Sequence, residues 1–278
     1  MTGRRDDNKN DKTGNRRKTM KKLLMTAAAV LAIAFSGIAG ASAQTVKVGF
    51  SPEAYPPFFN PDASGNWTGW EVEIIGAICA EAKLECEMTP IPWDGLIPAL
   101  TSKKIDAIMN SMSITEERKK SIAFSDKYYN TPTAIIGPKS EKFGATPADL
   151  KGKILGVQVS TTHSAYAKKH FADAAEIKEY QTQDEANQDL AAGRIDATQA
   201  DSIALDAFLK SDQGAACCDL KGHVAEDLEI LGPGVGAGVR QDDNELREKF
   251  NTAIKAIREN GKYDEITKKY FDFDIYGG

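Results

Sequence analysis

From Thr45 onward, strand and helix signals alternate without a break, and midway through the chain the alternation starts again. Residues 45–50 read as a strand with Val46, Val48 and Phe50 on one side. A helix over 71–83, a strand over 85–91, a helix over 95–100 and a strand over 105–109 follow. The plan restarts with a strand at 153–157 and a helix at 164–171. It continues as strand 176–180, helix 184–192, strand 195–199 and helix 202–209. Such alternation predicts an α/β fold of parallel sheets with helices on both faces. A faint internal echo points the same way. Leu100-Thr-Ser-Lys-Lys-Ile-Asp-Ala107 recurs in form as Leu190-Ala-Ala-Gly-Arg-Ile-Asp-Ala197, a helix end and basic turn before a strand.

About 235 residues outside the N-terminal segment suit two lobes better than one core. We expect lobe one over 45–130, lobe two over 131–228 and a return to lobe one over 229–278. The crossings fall at 128–132 and near the Gly/Pro-rich stretch 232–238. Residues 241–262 read as one helix with Leu246, Phe250, Ile254 and Ile257 on a single face. Two connections between lobes permit a hinge, and the cleft between lobes is a preferred ligand site.

Residues 1–43 stand apart from this pattern. Lys21 and Lys22 precede an apolar run from Leu23 to about Ala39, and Ala41-Ser42-Ala43 forms an A-x-A cleavage site. This is the pattern of a secretory signal cleaved after Ala43, with Met20 as an alternative start. Arg16-Arg17 lacks the flanks of a twin-arginine signal. A transmembrane anchor is disfavoured by the small-residue end, and no later segment is apolar enough to span a membrane. Nine of the 35 basic and three of the 40 acidic residues lie in this segment. The remainder holds 26 basic and 37 acidic residues, a net charge of −11. An acidic secreted chain of this kind excludes a nucleic-acid binder, which needs a basic face.

The richest local chemistry follows the apolar run 107–109, which stops at Asn110-Ser111-Met112-Ser113. Thr115 then caps a helix whose first turn carries Glu116 and Glu117, and Arg118 sits one turn in. A strand end, free amides, hydroxyls and a guanidinium meet at one point, which is how a fold grips a small carboxylate. The competing reading of Arg118 is a surface ion pair with Glu116 or Glu117. Thr161 and Thr162 open the helix expected near Ser164, where amides welcome an anion; ordinary capping is compatible with that role. Asp201 follows the strand 195–199 and offers a partner for an ammonium, or a cap for the helix beginning at Ser202.

On these residues, the chain resembles the periplasmic solute-binding proteins of polar amino-acid ABC importers, nearest to the lysine/arginine/ornithine and histidine binders. The resemblance also rests on Tyr55-Pro-Pro-Phe58, Trp93-Asp-Gly-Leu-Ile-Pro98, Lys104-Ile-Asp-Ala107, Asp189-Leu-Ala-Ala-Gly-Arg194 and Lys269-Tyr-Phe-Asp-Phe-Asp274. It covers the chain from about Thr45 to its end. It implies a two-lobed, type II periplasmic-binding-protein-like fold with a two-strand hinge. The implied protein is a monomeric periplasmic receptor that binds a free L-amino acid and delivers it to an inner-membrane ABC permease. No cofactor, metal, nucleic acid or catalytic residue is called for.

Carried over residue by residue, the resemblance gives Arg118 and the amides at Ser113 and Thr162 to the ligand carboxylate. Asp201 and the groups at Asn110 and Ser113 go to its ammonium, and Ser111 is a further contact. Tyr55 and Trp93 match the aromatic walls around the ligand side chain, whereas Trp70 reads as core. The chain departs from the family at four positions. Pro52 stands where the cationic binders carry an acid, with Glu53 one residue further on. Asn110 replaces a common serine. Gln158 and His163 replace a common leucine and glutamine, making the pocket more polar. A basic ligand such as arginine, lysine, ornithine or histidine is expected if Glu53 meets its charge; a neutral polar one is expected if not.

Cys79 on the helix and Cys86 in the next strand are brought close by a short return, and an oxidising compartment favours bonding them. The same pair is bridged in the resembling family; two buried free thiols are the other reading. Cys217-Cys218 stays open between free thiols, a vicinal disulfide and a metal site, the last lacking other ligands at suitable spacing. Two further functions share the pattern. A periplasmic enzyme on this fold, such as a cyclohexadienyl dehydratase, needs a general acid, and Glu53 and His163 are the candidates. A secreted amino-acid sensor would look the same in sequence.

Overall fold

The computed structural model describes residues 44–277. The expected signal segment and its cleavage point lie outside the described residues. The chain opens with β1 (Gln44–Phe50), a short ribbon of β2 (Asn60–Pro61) and β3 (Trp67–Thr68), and α1 (Trp70–Glu81). It continues through β4 (Leu84–Pro90), a 3₁₀ turn at Trp93–Gly95, α2 (Leu96–Thr101), β5 (Ala107–Ile108), α3 (Glu116–Lys119) and β6 (Ala123–Tyr129). The second half contains β7 (Thr133–Pro138), β8 (Ile154–Gln158), α4 (Thr162–His170), β9 (Glu176–Tyr180) and α5 (Gln183–Ala191). Next come β10 (Ala197–Asp201), α6 (Ser202–Lys210), α7 (Asp212–Cys217), β11 (Cys218–His223) and α8 (Leu228–Leu231). Finally β12 (Val235–Val239), α9 (Asn244–Glu259) and α10 (Lys262–Thr267) complete the chain.

Two five-stranded sheets result, ordered β4-β1-β5-β12-β6 and β11-β7-β10-β8-β9. The chain passes from the first to the second between β6 and β7, over residues 130–132. It returns between β11 and β12, over 224–234. The expectation of purely parallel sheets needs correction. β4, β1 and β5 are parallel, as are β9, β8 and β10, but β12 runs antiparallel to β5 and β6. β7 is likewise antiparallel to β10 and β11. The strands next to the crossings enter each sheet from the other one, so no crossover helix imposes a parallel return on them.

Helices cover both faces of each sheet. Val46, Val48 and Phe50 alternate inward from β1 and pack with Ile74 and Ile78 of α1 and with Phe250 and Ile254 of α9. Leu96 and Leu100 of α2 cover the opposite face with Ile108 and Phe124. In the second sheet, Leu155 and Val157 meet Tyr166 and Phe171 on one side, while Ile136 meets Leu205 and Phe208 on the other. Trp70 is fully buried, as its reading as core requires.

The helix expected over 241–262 is α9, three residues shorter at each end, and α10 begins at Lys262. Gly261 adopts φ 82°, a left-handed stop that follows Asn260 and turns the chain before α10. A hydrophobic face repeating at helical spacing does not reveal such a break. Cys79 and Cys86 are bonded, joining α1 to β4, with Cα atoms 6.1 Å apart. Cys217 and Cys218 are bonded to each other, which resolves the three readings left open for them.

Candidate ligand-binding site

The parallel strands of both sheets end at one place. β1 delivers Ser51, β5 delivers Asn110, β8 delivers Gln158 and β10 delivers Asp201 to a single cavity. It encloses about 600 Å³ of non-atom space, its open mouth included. Carboxyl ends of strands are where open α/β sheets bind ligands, because the chain must diverge there into separate loops. All twelve residues singled out from the sequence as ligand contacts line this cavity.

Thr115 caps α3 by accepting from the Arg118 amide at 3.2 Å, which sets Arg118 one turn in. Its guanidinium turns back and donates to the Ser113 carbonyl at 2.9 Å and the Ser160 carbonyl at 3.3 Å, with Trp93 5.6 Å from its carbon. The surface pairs of that helix form without it: Lys119 with Glu116 and Lys120 with Glu117. Burial lowers the Arg118 pKa to about 10, opposed by the charge of Asp201. It therefore stays protonated at neutral pH. Trp93 also reaches across, donating its indole N–H to the Ser160 carbonyl at 3.3 Å.

Asp201 is the last residue of β10, two residues beyond the expected strand end, and stands at the N-terminus of α6 without capping it through its side chain. It accepts from the Tyr55 hydroxyl at 2.6 Å, and His163 Nε2 lies 3.5 Å from its other oxygen. Burial, reinforced by the Asp201 charge, holds the Tyr55 hydroxyl well above its ordinary pKa, so it remains a donor. Thr161 caps α4 by accepting from the Ser164 amide at 3.0 Å, which places the start of that helix at Thr162 rather than Ser164. The Thr162 amide, at the first position of that helix, has no intrahelical partner to claim it.

Asn110 is oriented by accepting the Ser51 amide at 2.7 Å. Glu53 also lines the cavity, half-buried, and accepts from the Gln158 side-chain amide at 3.4 Å. Burial raises the Glu53 pKa, and the carboxylates of Asp94 and Glu185 push the same way.

Three residues escaped the sequence reading. Ser51 lines the cavity with a hydroxyl that has no partner; the rule of strand carboxyl ends points to it. Gln183 also lines the cavity, its amide held by Asn187 and Thr198. Glu71 lies behind the cavity, 0% exposed, and accepts both the amide and the hydroxyl of Ser111. No pattern in the first turn of α1 distinguishes it from an ordinary helix-start acid. Among the described residues, no cluster of His, Cys, Asp and Glu is arranged to hold a metal ion, and no helix is long and apolar enough to cross a membrane.

Two sheets joined by two crossings, with convergent polar groups of both signs between them, define a two-lobed α/β ligand-binding protein. The chain belongs to the bacterial extracellular solute-binding proteins, family 3, whose model matches residues 46–273. It is 45% identical to an L-arginine-binding protein of Pseudomonas aeruginosa over 93% of this chain and 99% of that one. A histidine-binding periplasmic protein of Salmonella typhimurium is 41% identical, over 93% of this chain and all of its own length. Among solved structures, an ancestral arginine-binding protein bound to arginine superposes with a TM-score of 0.75 and 35% identity. That match covers 82% of this chain and 98% of the other.

Proposed function

We propose that this protein is a periplasmic receptor for one free L-amino acid with a basic side chain, delivered to an inner-membrane ABC permease. The observation that carries the reading is the division of charge in one cavity. Arg118 and the α4 amides serve a carboxylate, Asp201 with Tyr55 serves an ammonium, and Glu53 supplies a carboxylate for the side chain. The Tyr55 and Trp93 rings suit a guanidinium, an ammonium or an alkyl stem. The relatives that bind arginine and histidine support the same ligand class.

In this reading, lobe one comprises 45–130 and 229–278 and lobe two 131–228. Ligand closes the lobes, since Arg118 and Trp93 from one already meet Ser160 of the other. The protein works as a monomer, after cleavage of residues 1–43. Calorimetry with L-amino acids and their methyl esters tests it. The expected result is one-to-one binding of a basic amino acid, lost in the ester. Equal affinity for acid and ester refutes the reading. Turnover of the best ligand during the same incubation favours an enzyme instead.

A further inference from the structure

Ser111 sits at the tip of the turn that follows β5, with φ 52°, in the left-handed region that a serine seldom occupies. A backbone in that state persists only where its surroundings hold it. Here the holder is Glu71, in the first turn of α1. Its carboxylate accepts the Ser111 amide at 2.8 and 3.0 Å and the Ser111 hydroxyl at 2.7 Å. It also accepts the hydroxyl of Tyr128, on β6, two residues before the first crossing. One buried carboxylate thus joins the turn carrying Asn110 and Ser113 to the strand leading out of the sheet.

We infer that Glu71 is a positioning residue for ligand binding: it touches no ligand, but holds the Asn110–Ser113 turn in its kink and fastens it to the crossing strand. The inference rests on the proposed amino-acid cavity. Two consequences follow from the placement. Removing the acceptor leaves the Ser111 amide buried without a partner, so the turn relaxes, and with it the Ser113 carbonyl that receives Arg118. Ligand binding also couples to the Glu71 proton. Burial raises its pKa to about 7, against the hydrogen bonds from Ser111 and Tyr128, and the Asp201 charge adds to the rise.

The other ionisable groups facing Glu71 are Tyr55, Tyr128 and Tyr129, all held well above their ordinary pKa by burial. They stay protonated near neutrality. A ligand ammonium beside Asp201 offsets the charge that disfavours ionised Glu71. Its pKa then falls, and a proton leaves on binding near pH 7. His163 also lies beside Asp201, so the comparison between wild type and variant carries the test.

The experiment is calorimetry of wild type and Glu71→Gln with L-arginine near pH 7, in two buffers of different ionisation enthalpy. Glu71→Gln keeps the size but turns an amide N–H toward donors. We expect at least thirtyfold weaker binding, unchanged circular dichroism and fewer protons released than by wild type. Affinity within threefold of wild type, or equal proton counts, overturns the inference. If Glu71→Gln does not fold, Glu71→Asp replaces it; we expect at least tenfold weaker binding, and a change below threefold overturns the inference. If wild type binds no basic amino acid, the cavity reading fails separately. Glu71 is then judged in ligand-free protein by hydrogen exchange at the Ser111 amide. Exchange at least a hundredfold faster in the variant supports the role, and equal rates overturn it.

Discussion

Replacing Arg118 by alanine is the sharpest perturbation of this cavity. The guanidinium has five N–H donors, of which two are occupied by the Ser113 and Ser160 carbonyls. Three remain for a ligand carboxylate. Hydrogen bonds to charged groups contribute about 1.5–3 kcal/mol net. Truncating one partner of a buried charged pair costs roughly 2–5 kcal/mol, because the other charge is left stranded. At about 1.4 kcal/mol per decade, Arg118→Ala should weaken a basic amino acid from roughly thirtyfold to several thousandfold. Part of this loss comes through the protein, since Ser113 and Ser160 lose a shared donor. Arg118→Lys separates charge from geometry: it keeps the cation but loses the planar fork, and should fall between wild type and alanine. The assay is calorimetry on ligand-free protein with an amino acid and its methyl ester. Wild type should discriminate strongly between them, and Arg118→Ala should discriminate weakly. A loss below tenfold, or undiminished discrimination against the ester, would falsify the carboxylate assignment.

Four further outcomes are expected. Glu53→Gln should weaken arginine and lysine by about 1–2 kcal/mol, a value discounted for half-exposure, while leaving neutral amino acids nearly unchanged; tight glutamine binding without any basic ligand would overturn the cationic choice. Because the Glu53 pKa is raised, wild-type affinity for arginine should begin to fall at a higher pH than an ordinary glutamate allows, as acidification neutralises the carboxylate, and titration of the Glu53→Gln variant should lack that component. Replacing both Cys79 and Cys86 by alanine should lower stability by about 2 kcal/mol for so short a loop, measured by urea unfolding of wild type and variant without reductant, and equal midpoints would show that the bridge constrains nothing. Bonds from His170 and Lys169 hold Asp227 down to about 2, so its contribution is present above the ordinary carboxylate range and disappears as pH falls toward 2. Asp227→Asn should therefore narrow the stability difference from wild type only at the acid end, as followed by thermal melts from pH 7 to pH 2.

The pattern of residues near one another in sequence determined much of this protein. Inward alternation at Val46, Val48 and Phe50 marked β1, and Thr115 before Glu116 and Glu117 marked a helix start that aims Arg118. These features are local, because side-chain period and capping act within one or two turns. The motif order from Tyr55 to Asp201 was equally legible, and every residue taken from it reaches one cavity. What sequence could not decide is what meets across distance. Glu71 finds Ser111 40 residues away and Tyr128 57 away, and Tyr55 finds Asp201 146 away. The left-handed turns at Ser111 and Ser160 and the antiparallel entry of β12 carry no local signature either. They exist because the chain crosses twice between sheets and then satisfies buried donors with whatever acceptors the crossing brings near.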